Sequence, residues 1–175
     1  MKKTNLLSFS GITMLLSGLT ILLSSEIGIQ TAKIITPILF ILSGIFSVLF
    51  ASANKEFLVP KNFHTLQGLG MISFAIALII IADSLESFLM VTTFFTMVYG
   101  LLEIIFAFMV LNSKKIIDSK IMIIRIISGV LNLLGGFALF MTALGKTPET
   151  GILIAGFLVL FGGLSFTIFA KKIKA

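Results

Sequence analysis

The chain has 175 residues, of which 58% are hydrophobic and 11% charged, with a mean hydropathy of +1.19 and a net charge of +6. So apolar a composition excludes an ordinary soluble domain and indicates an integral membrane protein. With no cysteine and a single histidine, disulfides, thiol chemistry and cysteine metal sites are excluded as well.

In chain order, the sequence predicts membrane-spanning helices at about 6–25, 34–53, 65–82, 88–111, 121–144 and 152–170. Each is close to the roughly 20 residues that a helix needs to cross about 30 Å of hydrocarbon. Continuous apolar runs such as MISFAIALIIIA argue against the shorter alternating strands of a membrane barrel. The connections are short, so we expect one all-α membrane domain over 1–175. The first stretch also fits a signal peptide, but it has no clear cleavage site and belongs to the repeat described below.

Basic residues predict the orientation, because lysine and arginine near membrane ends are retained on the cytoplasmic side. One face collects 11 basic residues and the other only Lys33 and Lys146. Both termini are therefore expected in the cytoplasm of a multi-pass protein of a bacterial inner membrane. The positive charge is mainly a topology signal: we expect contact with anionic lipid at the inner face and no nucleic-acid binding. The basic face comprises Lys2, Lys3, Lys55, Lys61, Lys114, Lys115, Lys120, Arg125, Lys171, Lys172 and Lys174.

Internal repetition is the most informative pattern in the sequence. Predicted spans two, four and six contain GIFSVLFA (44–51), GLLEIIFA (100–107) and GLSFTIFA (163–170), each with glycine first, phenylalanine seventh and alanine eighth. Spans one, three and five contain SGITMLLSG, QGLGMISFA and SGVLNLLGG. The chain is thus a helical hairpin used three times, with units of about 1–54, 55–112 and 113–175. Since each unit crosses the membrane twice, we expect a pseudo-threefold axis along the membrane normal.

Small residues recur about every seven positions, which places them on one face of each helix. Lipid gives helices little hydrophobic reason to associate, so close approach at small residues supplies much of the packing energy. We interpret the pattern as helix packing; the alternative is a glycine-lined pore, which is disfavoured because every helix shares the pattern. The candidate packing residues are Gly11, Gly18, Gly44, Gly68, Gly100, Gly129, Gly136, Gly156 and Gly163.

With its six spans, its inward termini and the G-x6-A pattern that ends each even span, nearly the whole chain resembles the HdeD-like membrane proteins. These are small six-span bacterial proteins with glycine-marked hydrophobic repeats, named for a member associated with acid resistance. The resemblance implies an inner-membrane protein linked to stress or acid tolerance, without established catalytic activity. It supplies no reactive motif, so no functional residue follows from it.

Glu103 stands out because ionisable groups inside a membrane are costly and are candidate functional residues. Its repeat equivalents are Ser47 and Phe166, so the repeat itself needs no acid there. Thr92, Thr96 and Tyr99 share its helix face, while span five offers a second polar face. We predict a Glu103–Arg125 ion pair with a further hydrogen bond from Tyr99 or Ser128. The candidate polar site is Glu103, Arg125, Tyr99, Ser128, Asn132 and Thr96.

Other chemically interesting residues are few. Asp83 and Glu86 are expected in an exposed acidic turn, and His64 at the cytoplasmic membrane surface, where a pH-sensing role is the less favoured alternative. No pattern resembles a nucleophile with its base, a phosphate loop or a metal cluster, so we expect no enzyme, no cofactor and no metal.

Two classes of function remain. The first is a non-catalytic membrane protein of stress response, acting through packing, formation of a homo-oligomer or contacts with an unidentified protein partner. The second is a small proton-coupled transporter or channel that uses Glu103. The first is favoured because no span is broken by a mid-membrane Gly-Pro element and only one acid lies deep in the membrane.

Overall fold

A computed structural model describes residues 3–53, 61–112, 119–144 and 147–172, and within these ranges all regular structure is helical. Six of the helices are long and apolar enough to cross a membrane, so the chain is an all-helical, multi-pass membrane protein. The remaining helix, α2, has only four residues. The helices are α1 (Lys3–Leu22), α2 (Ser24–Ile27), α3 (Ile29–Ala53), α4 (Lys61–Ile81), α5 (Leu85–Asn112), α6 (Ser119–Leu144) and α7 (Pro148–Lys172).

The first connection is more helical than predicted, because α3 begins at Ile29 rather than near residue 34. Gly28 separates α2 from α3 with a φ of 84°, a left-handed conformation that glycine adopts without strain. Pro37, which would be close to the start of the span predicted at 34–53, is consequently inside α3, eight residues from its start. Its ring removes one backbone donor from the helix.

The spanning helices contact one another in the cyclic order α1, α3, α4, α5, α6 and α7, and α7 packs back against α1. The most extensive contacts join α1 to α7, α5 to α6 and α3 to α4. Each of these three contacts contains a pair of facing glycines, one from each helix. The pairs are Gly44 with Gly68, Gly100 with Gly129, and Gly163 with Gly11.

All nine candidate packing glycines lie against a neighbouring helix. A methyl group built on Gly44 would be 2.5 Å from the carbonyl oxygen of Gly68, and one on Gly68 would be 2.7 Å from that of Gly44. Outside the three pairs, Gly18 meets the backbone of Leu160. The two remaining glycines pack against side chains of neighbouring helices: Gly136 lies against Met97, and Gly156 lies against Leu22.

Two groups of buried side chains fill the bundle. One lies towards the α4–α5 turn and includes Phe40, Phe74 and Phe95. The other lies at the opposite end and includes Phe50, Phe106 and Phe169, the phenylalanines of the three repeated segments. Many large apolar side chains are instead exposed on the outside of the bundle, Ile80 at 76% for example, as expected of a surface in contact with lipid. The buried polar residues lie next to the second group.

Candidate functional site

The close contact of α5 with α6 brings Glu103 and Arg125 together. Gly100 and Gly129 face each other, and the two helices run in opposite directions from this point. Glu103 follows Gly100 by three residues, about 4.5 Å along the helix, and Arg125 precedes Gly129 by four, about 6 Å. The two side chains therefore lie at nearly the same level. A methyl group on Gly129 would be 3.1 Å from the Glu103 Cβ, so the glycine itself allows this approach.

Glu103 and Arg125 form the ion pair that the sequence predicts. Arg125 Nε donates to Oε2 of Glu103 at 2.6 Å, and Arg125 Nη2 donates to Oε1 at 2.5 Å. Both side chains are fully buried. This two-point geometry is the strongest form of an arginine–carboxylate interaction.

A third helix contributes to the pair through Gln67 of α4. Its Nε2 donates to Glu103 Oε1 at 2.8 Å, and its side chain is only 2% exposed. The Glu103 carboxylate thus accepts three hydrogen bonds from two helices. Sequence reasoning missed Gln67, although an amide inside an apolar span, one residue before the repeat glycine Gly68, was a usable signal.

Aromatic rings enclose the Arg125 guanidinium. Its Cζ lies 4.1 Å from the ring centre of Phe106, 4.3 Å from that of Phe169 and 5.3 Å from that of Phe166. Cations are attracted to such ring faces, more strongly where water is excluded. Arg125 Nη1 has no hydrogen-bond partner among the described residues, so these ring contacts are part of what offsets its burial.

His64 is buried, contrary to the prediction of a position at the membrane surface. Its ring is 1% exposed and lies 5.1 Å from that of Phe50, 5.4 Å from Phe106 and 6.2 Å from Phe169. The reason is the helix face on which His64 lies. His64 precedes Gly68 by four residues and so shares its face, which is turned into the bundle. The side chain of Arg125 points inward from α6 in the same way. Neither ring nitrogen has a hydrogen-bond partner in the described structure; Gln67 is adjacent but outside hydrogen-bonding geometry.

The other candidate polar residues are buried but do not hydrogen-bond to the ion pair. The Tyr99 hydroxyl donates to the Gly162 carbonyl at 3.2 Å, and Ser128 Oγ has no partner among the described residues. Ser128 therefore does not supply the expected hydrogen bond, and the Tyr99 hydroxyl lies beside Glu103 but donates to Gly162 instead. Thr96 and Asn132 donate to carbonyl groups of their own helices, which is the usual way for such side chains to satisfy their donors in apolar surroundings.

The acidic turn between α4 and α5 is exposed. The Ser87 hydroxyl donates to Asp83 at 2.8 Å and lowers the pKa of this carboxyl from its usual value. Asp83 and Glu86 are both at the surface, and no group of three metal-ligating side chains occurs in the described parts of the chain. Several of the lysines used to predict orientation, Lys2, Lys55, Lys114, Lys115, Lys146 and Lys174, lie outside the described residues.

No protein-family model matches the chain, and no curated protein or solved structure is detectably similar to it. The resemblance to HdeD-like proteins therefore stays a prediction. Chemically, the buried cluster holds a carboxylate whose acceptors are engaged by Arg125 and Gln67. Adding a proton to that carboxylate would turn an acceptor into a donor facing other donors.

Proposed function

We propose that the chain is a non-catalytic membrane protein of the HdeD-like type, in which the cluster of Glu103, Arg125 and Gln67 fastens helices α4, α5 and α6 together. Its contribution to stress or acid tolerance would come from a stable bundle that forms a homo-oligomer or binds protein partners. The observation that carries the proposal is the fully buried, two-point ion pair with a third donor from Gln67.

This geometry favours a role in holding helices α4, α5 and α6 together over a role in proton transfer. A proton carrier must exchange its proton, whereas protonation of Glu103 would break at least one of three short hydrogen bonds and leave Arg125 charged in an apolar environment. Arg125 has no alternative acidic partner in the described parts of the chain, because Glu103 is the only buried acid there.

Proton-coupled transport remains the second candidate, and one observation favours it. Beside the ion pair, the nitrogens of His64, Nη1 of Arg125 and Oε1 of Gln67 are buried without partners in the described structure. Such atoms commonly bind ordered water, and a short water chain could relay protons.

Proton flux into liposomes that contain the purified protein separates the two candidates. Under an imposed pH gradient, we expect liposomes that contain the wild-type protein or the Glu103→Gln variant to show no more proton flux than protein-free liposomes. Flux that depends on the wild-type protein and disappears in Glu103→Gln would reject the fastening role in favour of transport. Retention of the folded state, checked by circular dichroism after reconstitution, makes a zero flux interpretable.

The link to stress is tested in cells. If the proposal is correct, deletion of the gene lowers survival after acid exposure, and re-expression of the wild-type chain restores it. Complementation by Glu103→Gln together with Arg125→Leu is expected to exceed that by Glu103→Gln alone, because the double variant leaves no unpaired charge in the membrane. Normal acid survival of the deletion strain would reject the stress role.

We further propose that the three hairpins surround a pseudo-threefold axis. Support comes from the glycine pairs, each of which joins an even span to the odd span of the next repeat, with the third repeat returning to the first. The equivalent phenylalanines Phe50, Phe106 and Phe169 also all contact His64. At the position of the ion pair, the first and second repeats instead meet where Ser47 donates to the His64 carbonyl oxygen at 2.9 Å.

A further inference from the structure

Two grooves on the outside of the bundle border α4. The α4–α5 groove has a volume of about 340 Å³ and includes Gly70, where a methyl group would meet no described atom within 4 Å. None of the described residues that line it is charged. The α3–α4 groove is larger, about 560 Å³, and has charged residues at one end. Of these two grooves, the second therefore offers charges that would select a ligand.

The α3–α4 groove lies beyond the contact between Gly44 and Gly68, on the side of the acidic turn. Lys33 precedes Gly44 by 11 residues, about 16 Å along α3. Helix α4 ends at Ile81, which follows Gly68 by 13 residues, or about 20 Å. The charged end of the groove is therefore near the end of both spans, where the hydrocarbon of a bilayer gives way to lipid headgroups.

The rest of the groove is apolar and open to the side. Ile34 and Ile38 on α3 and Ile79 and Ile80 on α4 line it, and each is more than half exposed. In a membrane these side chains face lipid. They would contact the upper part of an acyl chain that lies between the two helices.

Lys33 and Asp83 place opposite charges at the end of this groove. Lys33 is half-buried on α3, and Asp83 is exposed just after α4. The pKa of Asp83 is lowered mainly by the Ser87 hydroxyl and further by the positive charge of Lys33, so the two charges are near each other. Nevertheless, no ion pair joins these two described residues. The groove thus presents a cation and an anion that are each able to bind a group from outside.

Pro37 adds a hydrogen-bond acceptor to the α3 wall. Proline has no backbone N–H, so Pro37 cannot donate to the carbonyl oxygen of Lys33, four residues earlier in the helix. Both residues line the groove. A hydrogen-bond donor bound there would satisfy a carbonyl oxygen that has lost its α-helical partner.

We propose that the α3–α4 groove binds one phospholipid whose headgroup ends in a primary ammonium, as in phosphatidylethanolamine. The Lys33 side chain donates to the lipid phosphate, the lipid ammonium donates to the Asp83 carboxylate and to the Lys33 carbonyl oxygen, and one acyl chain lies along the groove. Lys33 is deeper in the span than Asp83, which matches the order of phosphate and ammonium outward from the acyl chains.

Charge complementarity selects this headgroup over the other common ones. Phosphatidylglycerol has a phosphate for Lys33 but no cation for Asp83. Phosphatidylcholine has a cation, but its quaternary nitrogen has no N–H to donate to the carboxylate. Hydrogen bonds between ionised groups are stronger than those between neutral groups, so a primary ammonium is the best match for both acceptors.

Photolabelling in vesicles tests the proposal. The protein is reconstituted in phosphatidylcholine with a trace of phosphatidylethanolamine that carries a diazirine in the upper part of one acyl chain, and the labelled peptides are mapped by mass spectrometry. We expect label to be concentrated at Ile34, Ile38 and Ile79. Label spread evenly over the exposed helix faces would overturn the proposal.

Competition measures the headgroup preference. Unlabelled phosphatidylethanolamine should bind about twofold to fivefold more tightly than phosphatidylcholine with the same chains, the range expected for exposed charge pairs. Phosphatidylglycerol should bind no more tightly than phosphatidylcholine. Equal competition by phosphatidylethanolamine and phosphatidylcholine would contradict the proposed contact with Asp83.

The acidic turn offers a matched pair of variants. Asp83→Asn should abolish the preference for phosphatidylethanolamine, because it removes the charge that binds the ammonium. Glu86→Gln removes an acid from the same turn at a residue that lines a different groove, so it should leave the preference unchanged. An Asp83→Asn protein that has a wild-type circular dichroism spectrum and keeps the preference would reject the site, as would an equal loss in Glu86→Gln.

Discussion

Gly100 and Gly129 approach so closely that a methyl group built on Gly100 would be 2.5 Å from the Gly129 carbonyl oxygen, and this contact fixes the level at which Glu103 meets Arg125. Packing and electrostatics are therefore linked at one point of the bundle. Separation of α5 from α6 would lengthen both hydrogen bonds of the ion pair.

Substitution of Gly100 by alanine is expected to destabilise the protein. Alanine is the better helix former by roughly 1 kcal/mol, but its methyl group would displace the α6 backbone, and overpacking costs about 1–3 kcal/mol. The free energy of unfolding in detergent should fall for Gly100→Ala and rise for Gly70→Ala, where the space is open. Equal changes in the two variants would show that backbone contact at Gly100 is unimportant.

Larger residues at other packing glycines test the same principle. Gly18→Leu and Gly136→Leu should lower detergent stability, because Gly18 meets the backbone of Leu160 and Gly136 meets Met97. Leu134→Phe serves as the control, since Leu134 is 63% exposed on the outside of the same helix as Gly136. Unchanged melting of both glycine variants would be incompatible with packing at these positions.

Removal of one partner of the ion pair should cost more than removal of both. Glu103→Gln leaves Arg125 charged and buried, and breaking a buried pair in this way costs about 3–5 kcal/mol. Glu103→Gln combined with Arg125→Leu should recover part of the loss. A double-mutant cycle on unfolding in detergent measures the coupling, and a value near zero would mean that the short contacts contribute nothing to stability.

Accessibility of the two ends of α5 tests the orientation. The chain contains no cysteine, so a single one can be introduced at Ser84, just before α5, or at Asn112, its last residue; both positions are exposed. If the acidic turn faces outward, a membrane-impermeant thiol reagent labels Ser84→Cys on intact cells and labels Asn112→Cys only after lysis. The reverse pattern would invert the predicted topology.

Asp83 provides a pH-dependent readout. Its pKa is lowered in the folded protein mainly by the Ser87 hydroxyl, so its contribution to stability is present at pH above the unfolded value of about 4 and is lost as the pH falls through the folded-state pKa. Ser87→Ala should raise the Asp83 pKa towards that value in an NMR titration, with Asp83→Asn identifying the signal. An unchanged titration would assign the shift to another cause.

The sequence by itself determined the six spanning helices and the partner of Glu103. Spanning helices are readable because hydrocarbon thickness fixes their length and every backbone group must be satisfied within the helix. Arg125 was readable because two charges deep in neighbouring spans are costly unless they meet. Both inferences depend on local composition and on adjacency along the chain.

Only the tertiary structure decided the roles of Gln67, His64 and Gly70. These residues share α4, and their surroundings depend on how that helix is rotated against α3 and α5, which hydropathy does not encode. One face of α4 directs His64 and Gln67 inward, while Gly70 opens the α4–α5 groove on another. Rotation is set by the detailed side-chain packing of α4 against the helices around it, and so the third partner of the ion pair and the groove beside it emerged only from the assembled bundle.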